Sequence, residues 1–154
     1  FDGAGNALAV VTSIFAGERD SESMIAILRQ GMKAAVIAGG IFGIICILFA
    51  KNLAGFFGLD LAAVPYAESA IRIFAFSIIF TGINMVATAF WQAIGRAKLA
   101  GAMSTLRNFL LMLIFGSLLI ARWQIKGLAL TYVLVEGIGT LFVAIVHKYQ
   151  SSYP

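Results

Sequence analysis

The chain has 154 residues, of which 61% are hydrophobic and only 12% are charged, and its mean hydropathy is +0.97. Soluble globular domains are about half apolar and about a quarter charged, so this composition predicts a membrane protein and excludes a disordered chain. Cys46 is the only cysteine, which excludes a disulfide-stapled scaffold, and the net charge of +4 is spread between apolar runs, which does not indicate nucleic-acid binding.

Five apolar runs are predicted to form transmembrane helices. A bilayer core of about 30 Å takes about 20 predominantly apolar residues in a helix. Transmembrane strands would be about half as long and would alternate in polarity, so the fold is predicted to be all-α. In chain order, the predicted helices cover residues 3–17, 32–50, 69–95, 103–121 and 127–146, and residues 20–31 are predicted to form a cytoplasmic helical extension.

Basic residues in the loops predict the orientation, because Lys and Arg are enriched on the cytoplasmic side. The first and third loops and the tail carry seven of them, against four in the second and fourth loops. We therefore expect a multi-pass protein of the cell's inner (plasma) membrane with a cytoplasmic C-terminus. The larger group is Arg19, Arg29, Lys33, Arg96, Lys98, Arg107 and Lys148, and the smaller group is Lys51, Arg72, Arg122 and Lys126.

Small residues in the second predicted helix indicate where it packs. Ala35, Gly39, Gly43 and Cys46 follow one another at helical spacing. Gly39 and Gly43 have the GxxxG spacing that lets two helix backbones approach closely. We expect this seam to contact another helix.

The third predicted helix carries a polar stripe on an otherwise apolar surface. Its members recur at steps of four and three residues, which places them on one helical face. One side of this helix is therefore predicted to be polar. The stripe consists of Ser77, Thr81, Asn84, Thr88 and Trp91.

Glu136 is the sharpest single feature, because it lies near the middle of the fifth predicted helix. A charged residue at a helix centre costs roughly 2.5–3.5 kcal/mol on insertion scales, so it usually faces the bundle interior or a wet cavity. Tyr132, Gly139 and Thr140 share its side of the helix. Two interpretations stay open, a proton or cation site and a protonated or hydrogen-bonded Glu that ties helices together.

Other polar residues give weaker signals. His147 has no second His or Cys nearby in the sequence, so we expect no metal site. The sequence has no nucleophile motif, no Walker lysine and no pair of acids that could share general acid and base catalysis, so we expect no enzyme activity. Arg107 is expected to meet phosphate headgroups at the inner end of the fourth helix, with pairing to an acid as the alternative.

Several stretches resemble the multidrug and toxic compound extrusion (MATE) family, in the family's order along nearly the whole chain. Residues 3–20 are similar to the family's eighth helix, and residues 80–96 to its tenth helix and the exit that follows. Residues 104–108 are similar to the entry of the eleventh helix, and residues 125–129 to the start of the twelfth. Glu136 matches an acid often found in that twelfth helix.

This resemblance implies that the chain is the larger part of a six-helix lobe, helices eight to twelve of a twelve-helix, two-lobe transporter. Such a protein exports small organic cations in exchange for H+ or Na+ by alternating access. Its expected partners are the lipid bilayer, the organic cation and an N-terminal lobe that is missing from this chain. No nucleic acid and no cofactor other than the coupling ion are expected.

The resemblance also implies a substrate cavity within this lobe. Some branches of the family carry an acid in the middle of the tenth helix, whereas no Asp or Glu lies between Arg72 and Arg96 here. Coupling is therefore expected mainly in the missing lobe, with Glu136 as the proton or cation candidate of this one. The residues expected to line the cavity are Ser77, Thr81, Asn84, Thr88, Tyr132 and Glu136.

Two other functions remain open. Flippases for lipid-linked sugars share this fold, and several inward Arg and Lys residues mark their cavities, whereas we expect none at the midplane here. A stand-alone five-helix membrane scaffold, with no transport of its own, is the alternative from a different class.

Overall fold

The computed structural model describes residues 1–151, with side chains up to residue 148. Every regular element in this part of the chain is helical, which confirms the all-α prediction. The α-helices are α1 (Asp2–Gly17), α2 (Ser21–Leu48), α3 (Ala50–Phe56), α4 (Val64–Ala75), α5 (Ser77–Ala93), α6 (Ala97–Thr105) and α7 (Met112–Ser151), and a π-helical segment (Leu106–Leu111) joins α6 to α7.

Two helical stretches in the described residues are long and apolar enough to cross a membrane, Ser21–Leu48 and the 52-residue stretch Ala97–Lys148. The pair α4 and α5, bent by 43° at Phe76, makes a third if it is counted as one span. With 16 residues, α1 is about 24 Å long, which is shorter than a hydrocarbon core of about 30 Å.

The 52-residue stretch folds back on itself at Gln124, where the backbone dihedrals are φ 50° and ψ −125°. Beyond this residue Gly127 lies against the carbonyl group of Leu119, and a Cβ at Gly116 would lie 4.0 Å from Thr131. The stretch is therefore a helical hairpin with two arms. The arms coincide with the separate fourth and fifth helices predicted from sequence.

Relief of the backbone strain at Gln124 is expected to stabilise the hairpin. A non-glycine residue held at such sparsely populated backbone dihedrals lowers the stability of the fold by about 1–3 kcal/mol, whereas glycine adopts a positive φ freely. Because glycine also adds entropy to the unfolded chain, Gln124→Gly is expected to raise the free energy of unfolding by about 1 kcal/mol. Helix content followed by circular dichroism during unfolding in detergent micelles measures this change.

Gln92 provides the matched control, because it is an exposed glutamine near the end of the regular helix α5. Gln92→Gly is expected to lower the free energy of unfolding by up to about 1 kcal/mol. If both substitutions destabilise the protein equally, the strain assigned to Gln124 does not exist.

The helix boundaries differ from those predicted. The extension predicted at 20–31 and the helix predicted at 32–50 form the single helix α2, which begins after Asp20 and ends at Leu48. The single helix predicted at 69–95 is two helices in the structure, α4 from Val64 and α5 to Ala93, which are separated by the bend at Phe76, and the helix predicted at 103–121 begins at Ala97. Hydropathy locates the lipid-facing part of a helix, whereas Lys, Arg and Glu continue a helix into the interface without breaking it.

Asp20 fixes the start of α2. Its Oδ1 accepts a hydrogen bond of 3.0 Å from the backbone N–H of Ser23, as an N-cap does. Hydrogen bonds from the side chain and backbone of Ser23 hold the pKa of the Asp20 carboxyl below its usual range.

Close packing of α2 against α4 and α5 confirms the glycine seam. A Cβ on Gly39 would lie 2.9 Å from the Cα of Ile79, and one on Gly43 would lie 3.1 Å from the carbonyl oxygen of Ala75. The pairing order shows that α2 runs antiparallel to the α4–α5 pair. Since α1 and α7 also pack on α5, this helix lies at the centre of the bundle.

Candidate functional site

A buried polar cluster lies where α5, the π-helical segment and α7 meet. Asn84 comes from α5, Arg107 from the π-helical segment and Glu136 from the second arm of α7. Asn84 is 0% exposed, Arg107 is 7% exposed and Glu136 is 6% exposed. Two ionisable groups and an amide that are buried together in an apolar bundle must form hydrogen bonds with one another, because water does not reach them.

Hydrogen bonds to both carboxylate oxygens of Glu136 hold the cluster together. Arg107 Nη2 donates to Oε1 at 2.6 Å, and Asn84 Nδ2 donates to Oε2 at 2.7 Å. Asn84 Nδ2 also lies 2.9 Å from the backbone carbonyl oxygen of Glu136, and Thr140 Oγ1 donates to Asn84 Oδ1 at 3.3 Å. Three separate elements are thus linked through one side chain.

The charges of Arg107 and Glu136 compensate each other. Arginine is always protonated in proteins, so an ionised Glu136 gives the pair no net charge. A buried pair of this kind gains little over an apolar core, but loss of one partner leaves the other charge buried and uncompensated. Arg107 Nε has no hydrogen-bond partner among the described residues, so the guanidinium is only partly satisfied.

Local backbone features bring these side chains into contact. The π-helical turn widens the helix at Arg107. Such turns are rare in proteins overall, but many of those that occur lie at functional sites. Opposite it, Gly139 leaves space in α7: a Cβ there would lie 2.8 Å from both Arg107 Cδ and Asn84 Nδ2, and 3.0 Å from Met103 Cε. The cluster therefore requires a residue without a side chain at position 139.

The expected headgroup contact of Arg107 is wrong. Because the helix that carries it begins at Ala97, Arg107 lies ten residues inside the helix and not at its membrane end. It is also an inward-facing arginine, so the expectation that this lobe has none is corrected as well. Because Arg107 does not lie in the third loop, the count of basic residues on the predicted cytoplasmic side falls to six, against four on the other side.

The hydroxyl groups of the polar stripe bond within their own helical run. Ser77 Oγ donates to the carbonyl of Phe74 at 2.7 Å, Thr81 Oγ1 to that of Ser77 at 3.0 Å, and Thr88 Oγ1 to that of Asn84 at 2.8 Å. Ser77 is fully buried. Within the described residues, Asn84 is the only member of the stripe whose side chain forms a hydrogen bond to another helix.

Tyr132 lies apart from the cluster. Its ring packs edge-on against Phe74, with 5.3 Å between the ring centroids and 80° between the planes. The residue is 37% exposed. Tyr132 therefore lies on the outer side of the described bundle, against α4.

A comparison with protein-family models decides the classification. The model of the MatE family matches residues 2–118, which is most of the chain. The chain belongs to the MatE family. Comparisons with curated proteins and with solved structures found no match. Of the cluster residues, Asn84 and Arg107 lie within the region that matches the MatE family, and Glu136 lies beyond it.

A separate cavity of about 340 Å³ lies between α2, α5 and α7. Its lining includes Thr140, which bonds to Asn84, but none of the six residues predicted to line a substrate cavity. The cavity-lining role of those six residues stays a prediction. Within the described residues no group of three or more His, Cys, Asp or Glu side chains could hold a metal ion.

Sequence reasoning identified Glu136 and Asn84, but it gave pairing of Arg107 with an acid only as the alternative to a headgroup contact, and this alternative is what the structure shows. An opposite charge inside the preceding apolar segment was the available signal, since oppositely charged groups within a membrane usually pair. Thr140 was noted as a neighbour of Glu136, and the structure adds its contact with Asn84. The spatial proximity of Arg107 and Glu136 depends on how the two arms of the hairpin pack after the reversal at Gln124, which hydropathy alone does not predict.

Proposed function

We propose that this MatE-family chain is part of a secondary active exporter of small organic cations that exchanges them for H+ or Na+ by alternating access. MatE proteins are membrane transporters and not enzymes, and the apolar helices agree with a membrane location. The proposal places the protein in the inner (plasma) membrane with its C-terminus in the cytoplasm. The lipid bilayer and an N-terminal lobe are its structural partners.

The buried pair of Glu136 and Arg107 is the observation that carries this proposal. Ionisable residues inside a membrane protein are costly and commonly mark proton or ion pathways. If Glu136 Oε1 binds a proton, the carboxylate loses its charge and the cluster changes from neutral to a net charge of +1. Arg107 then lacks its counter-ion in an apolar interior, which favours a rearrangement that brings it towards water.

The composition of the cluster favours H+ over Na+ as the ion handled in this lobe. Hard cations require several oxygen ligands, as Ca²⁺ and Mg²⁺ sites show. The single carboxylate of Glu136 is already occupied by the cationic Arg107, whose charge repels a second cation. A proton needs only one carboxylate oxygen, so the geometry suits protonation better than Na+ binding.

Sugar-lipid flipping is the second candidate, because Arg107 is an inward arginine of the kind that marks flippase cavities. Its charge, however, is compensated by Glu136 at 2.6 Å and does not face an open cavity. This compensation removes the uncompensated positive charge that would attract an anionic cargo. Ser77, Thr81, Thr88 and Tyr132 are proposed, with Asn84 and Glu136, to meet the cargo in a state in which the lobe opens.

The experiment compares efflux of a fluorescent organic cation by the full-length gene product and its Glu136→Gln variant. Gln keeps the size of the side chain but cannot exchange a proton at neutral pH. We expect lower efflux or a lost pH dependence in proteoliposomes with an imposed pH gradient. Glu68→Gln is the matched control, since Glu68 is a more exposed acid paired with Arg72 at 2.9 Å on the surface of α4.

Three outcomes separate the candidate functions. Unchanged efflux by Glu136→Gln at matched expression across pH would reduce Glu136 to a packing role. Translocation of lipid-linked sugar without dye efflux would favour the flippase. Neither activity, in a protein that is correctly folded and inserted, would favour the scaffold.

A further inference from the structure

The cavity between α2, α5 and α7 has the form of a groove, which we name the α2–α7 groove. It has α5 at its base and a volume of about 340 Å³, within the range of about 300–1,000 Å³ for small-molecule sites. Its apolar lining includes Leu28 and Met32 of α2, Phe90 and Trp91 of α5, and Val143 of α7. Its polar lining comprises Arg29, Thr140 and His147.

The groove extends from the membrane interior to the membrane interface. Thr140 and His147 are seven residues apart on α7, which is about 10 Å along a helix. His147 lies eleven residues beyond the buried Glu136, or about 16 Å, whereas half of a hydrocarbon core is about 15 Å thick. The end of the groove at His147 therefore lies at the level of the lipid headgroups if Glu136 is near the midplane.

The basic residues at this end suit an anion, since Arg29 carries a positive charge and the imidazole of His147 has a hydrogen-bond donor. Arg29 and His147 are both exposed, and no acidic residue lines the groove. Neither Arg29 nor His147 forms an ion pair within the part of the chain that the structure describes. Basic pockets between transmembrane helices are recognised sites for anionic lipid headgroups.

We propose that the α2–α7 groove binds one anionic phospholipid, with an acyl chain along Phe90 and Trp91 and the headgroup phosphate on Arg29 and His147. The apolar walls match a hydrocarbon chain, and the basic pair matches its phosphate. This site is independent of the cargo proposed above.

Charge argues against other small-molecule occupants. An organic cation would be repelled by Arg29 at the groove's end. A zwitterionic lipid fits the walls but gains less from the basic pair.

Trp91 provides a built-in reporter of lipid in the groove. The chain has only two tryptophans, and Trp123 is 51% exposed at the reversal between the arms of the hairpin. In a Trp123→Phe background, bromine atoms on a lipid acyl chain quench Trp91 fluorescence only on close approach. The full-length protein in nanodiscs is titrated with brominated phosphatidylglycerol or with brominated phosphatidylcholine, and the quenching that is lost in a matched Trp91→Phe variant is assigned to Trp91.

We expect half-quenching at an about fivefold lower mole fraction of phosphatidylglycerol than of phosphatidylcholine, because each basic group near an anionic lipid contributes a few-fold preference. Arg29→Gln combined with His147→Gln should abolish this preference. Arg122→Gln combined with Lys126→Gln is the matched control, since both are exposed basic residues at the opposite end of the hairpin arm. The control variant should keep the preference.

A second variant leaves Arg29 and His147 in place. Ala144 lines the groove, so Ala144→Phe should fill it and weaken quenching by either lipid. Unchanged helix content by circular dichroism shows that each variant is folded. Equal quenching by the two lipids, retention of the preference without Arg29 and His147, or absence of quenching would each overturn the proposal.

Discussion

Replacement of Glu136 by Leu is expected to lower the free energy of unfolding by about 3–5 kcal/mol, because it leaves Arg107 buried and unpaired. The two side chains are 2.6 Å apart and less than 10% exposed. Arg107→Met should cost a similar amount for the reciprocal reason. Unfolding in mixed detergent micelles, followed by circular dichroism, measures both changes.

The double variant Glu136→Leu with Arg107→Met separates the ion pair from the packing of either side chain. Two apolar side chains of similar size often replace a buried pair at little cost, so the double variant should be more stable than either single one. Glu68 and Arg72 form the control pair, with side chains 27% and 51% exposed. Their removal should change the free energy of unfolding by no more than about 0.5 kcal/mol.

Additive costs would contradict this account of the cluster. If the double variant loses the sum of the two single losses, Arg107 and Glu136 do not depend on each other. A loss below about 1 kcal/mol for either single variant would mean that water reaches the cluster, since an exposed pair contributes only that much.

Local patterns predicted the parts of the fold that depend on composition and helical periodicity. Apolar content and run length predicted an all-helical membrane protein, and the small residues Gly39 and Gly43 marked a close helix contact. The central position of Glu136 predicted that it faces inward, and it is 6% exposed. Each of these inferences needs only neighbours within a few turns of one helix.

Hydropathy could not predict the pairing of Arg107, because it locates apolar runs along the chain and does not show which side chains of different runs meet. The helix continues through Arg107 since arginine is a good helix former, and its neighbours are determined by the reversal at Gln124. The partner comes from 29 residues further along the chain. Such a contact depends on tertiary structure and not on local propensity.

The hydroxyl stripe shows a different limit of sequence patterns. Ser and Thr in a helix can donate to a carbonyl three or four residues earlier, which satisfies them without a partner helix or a cavity. Ser77, Thr81 and Thr88 all do so. Asn84 has a longer amide side chain with two donors, and its side chain reaches Glu136 instead.

Gly139→Leu is expected to lower the free energy of unfolding by about 1–3 kcal/mol, because a side chain there has no free space. The first added carbon would already lie 2.8 Å from Arg107 Cδ and from Asn84 Nδ2. The leucine must therefore displace the donors that hold the Glu136 carboxylate. The same unfolding measurement in micelles gives the magnitude.

Gly137 is the matched control, two residues away on the same helix, because a Cβ there would have no neighbouring atom within 4 Å. Both substitutions replace a helical glycine by leucine, so both gain the same intrinsic helix propensity of about 1 kcal/mol. The difference between the two variants then isolates the steric cost at the cluster. Equal stability of Gly139→Leu and Gly137→Leu would mean that α7 does not pack this closely on Arg107 and Asn84, and the proposed linkage of three elements through Glu136 would lose its geometric basis.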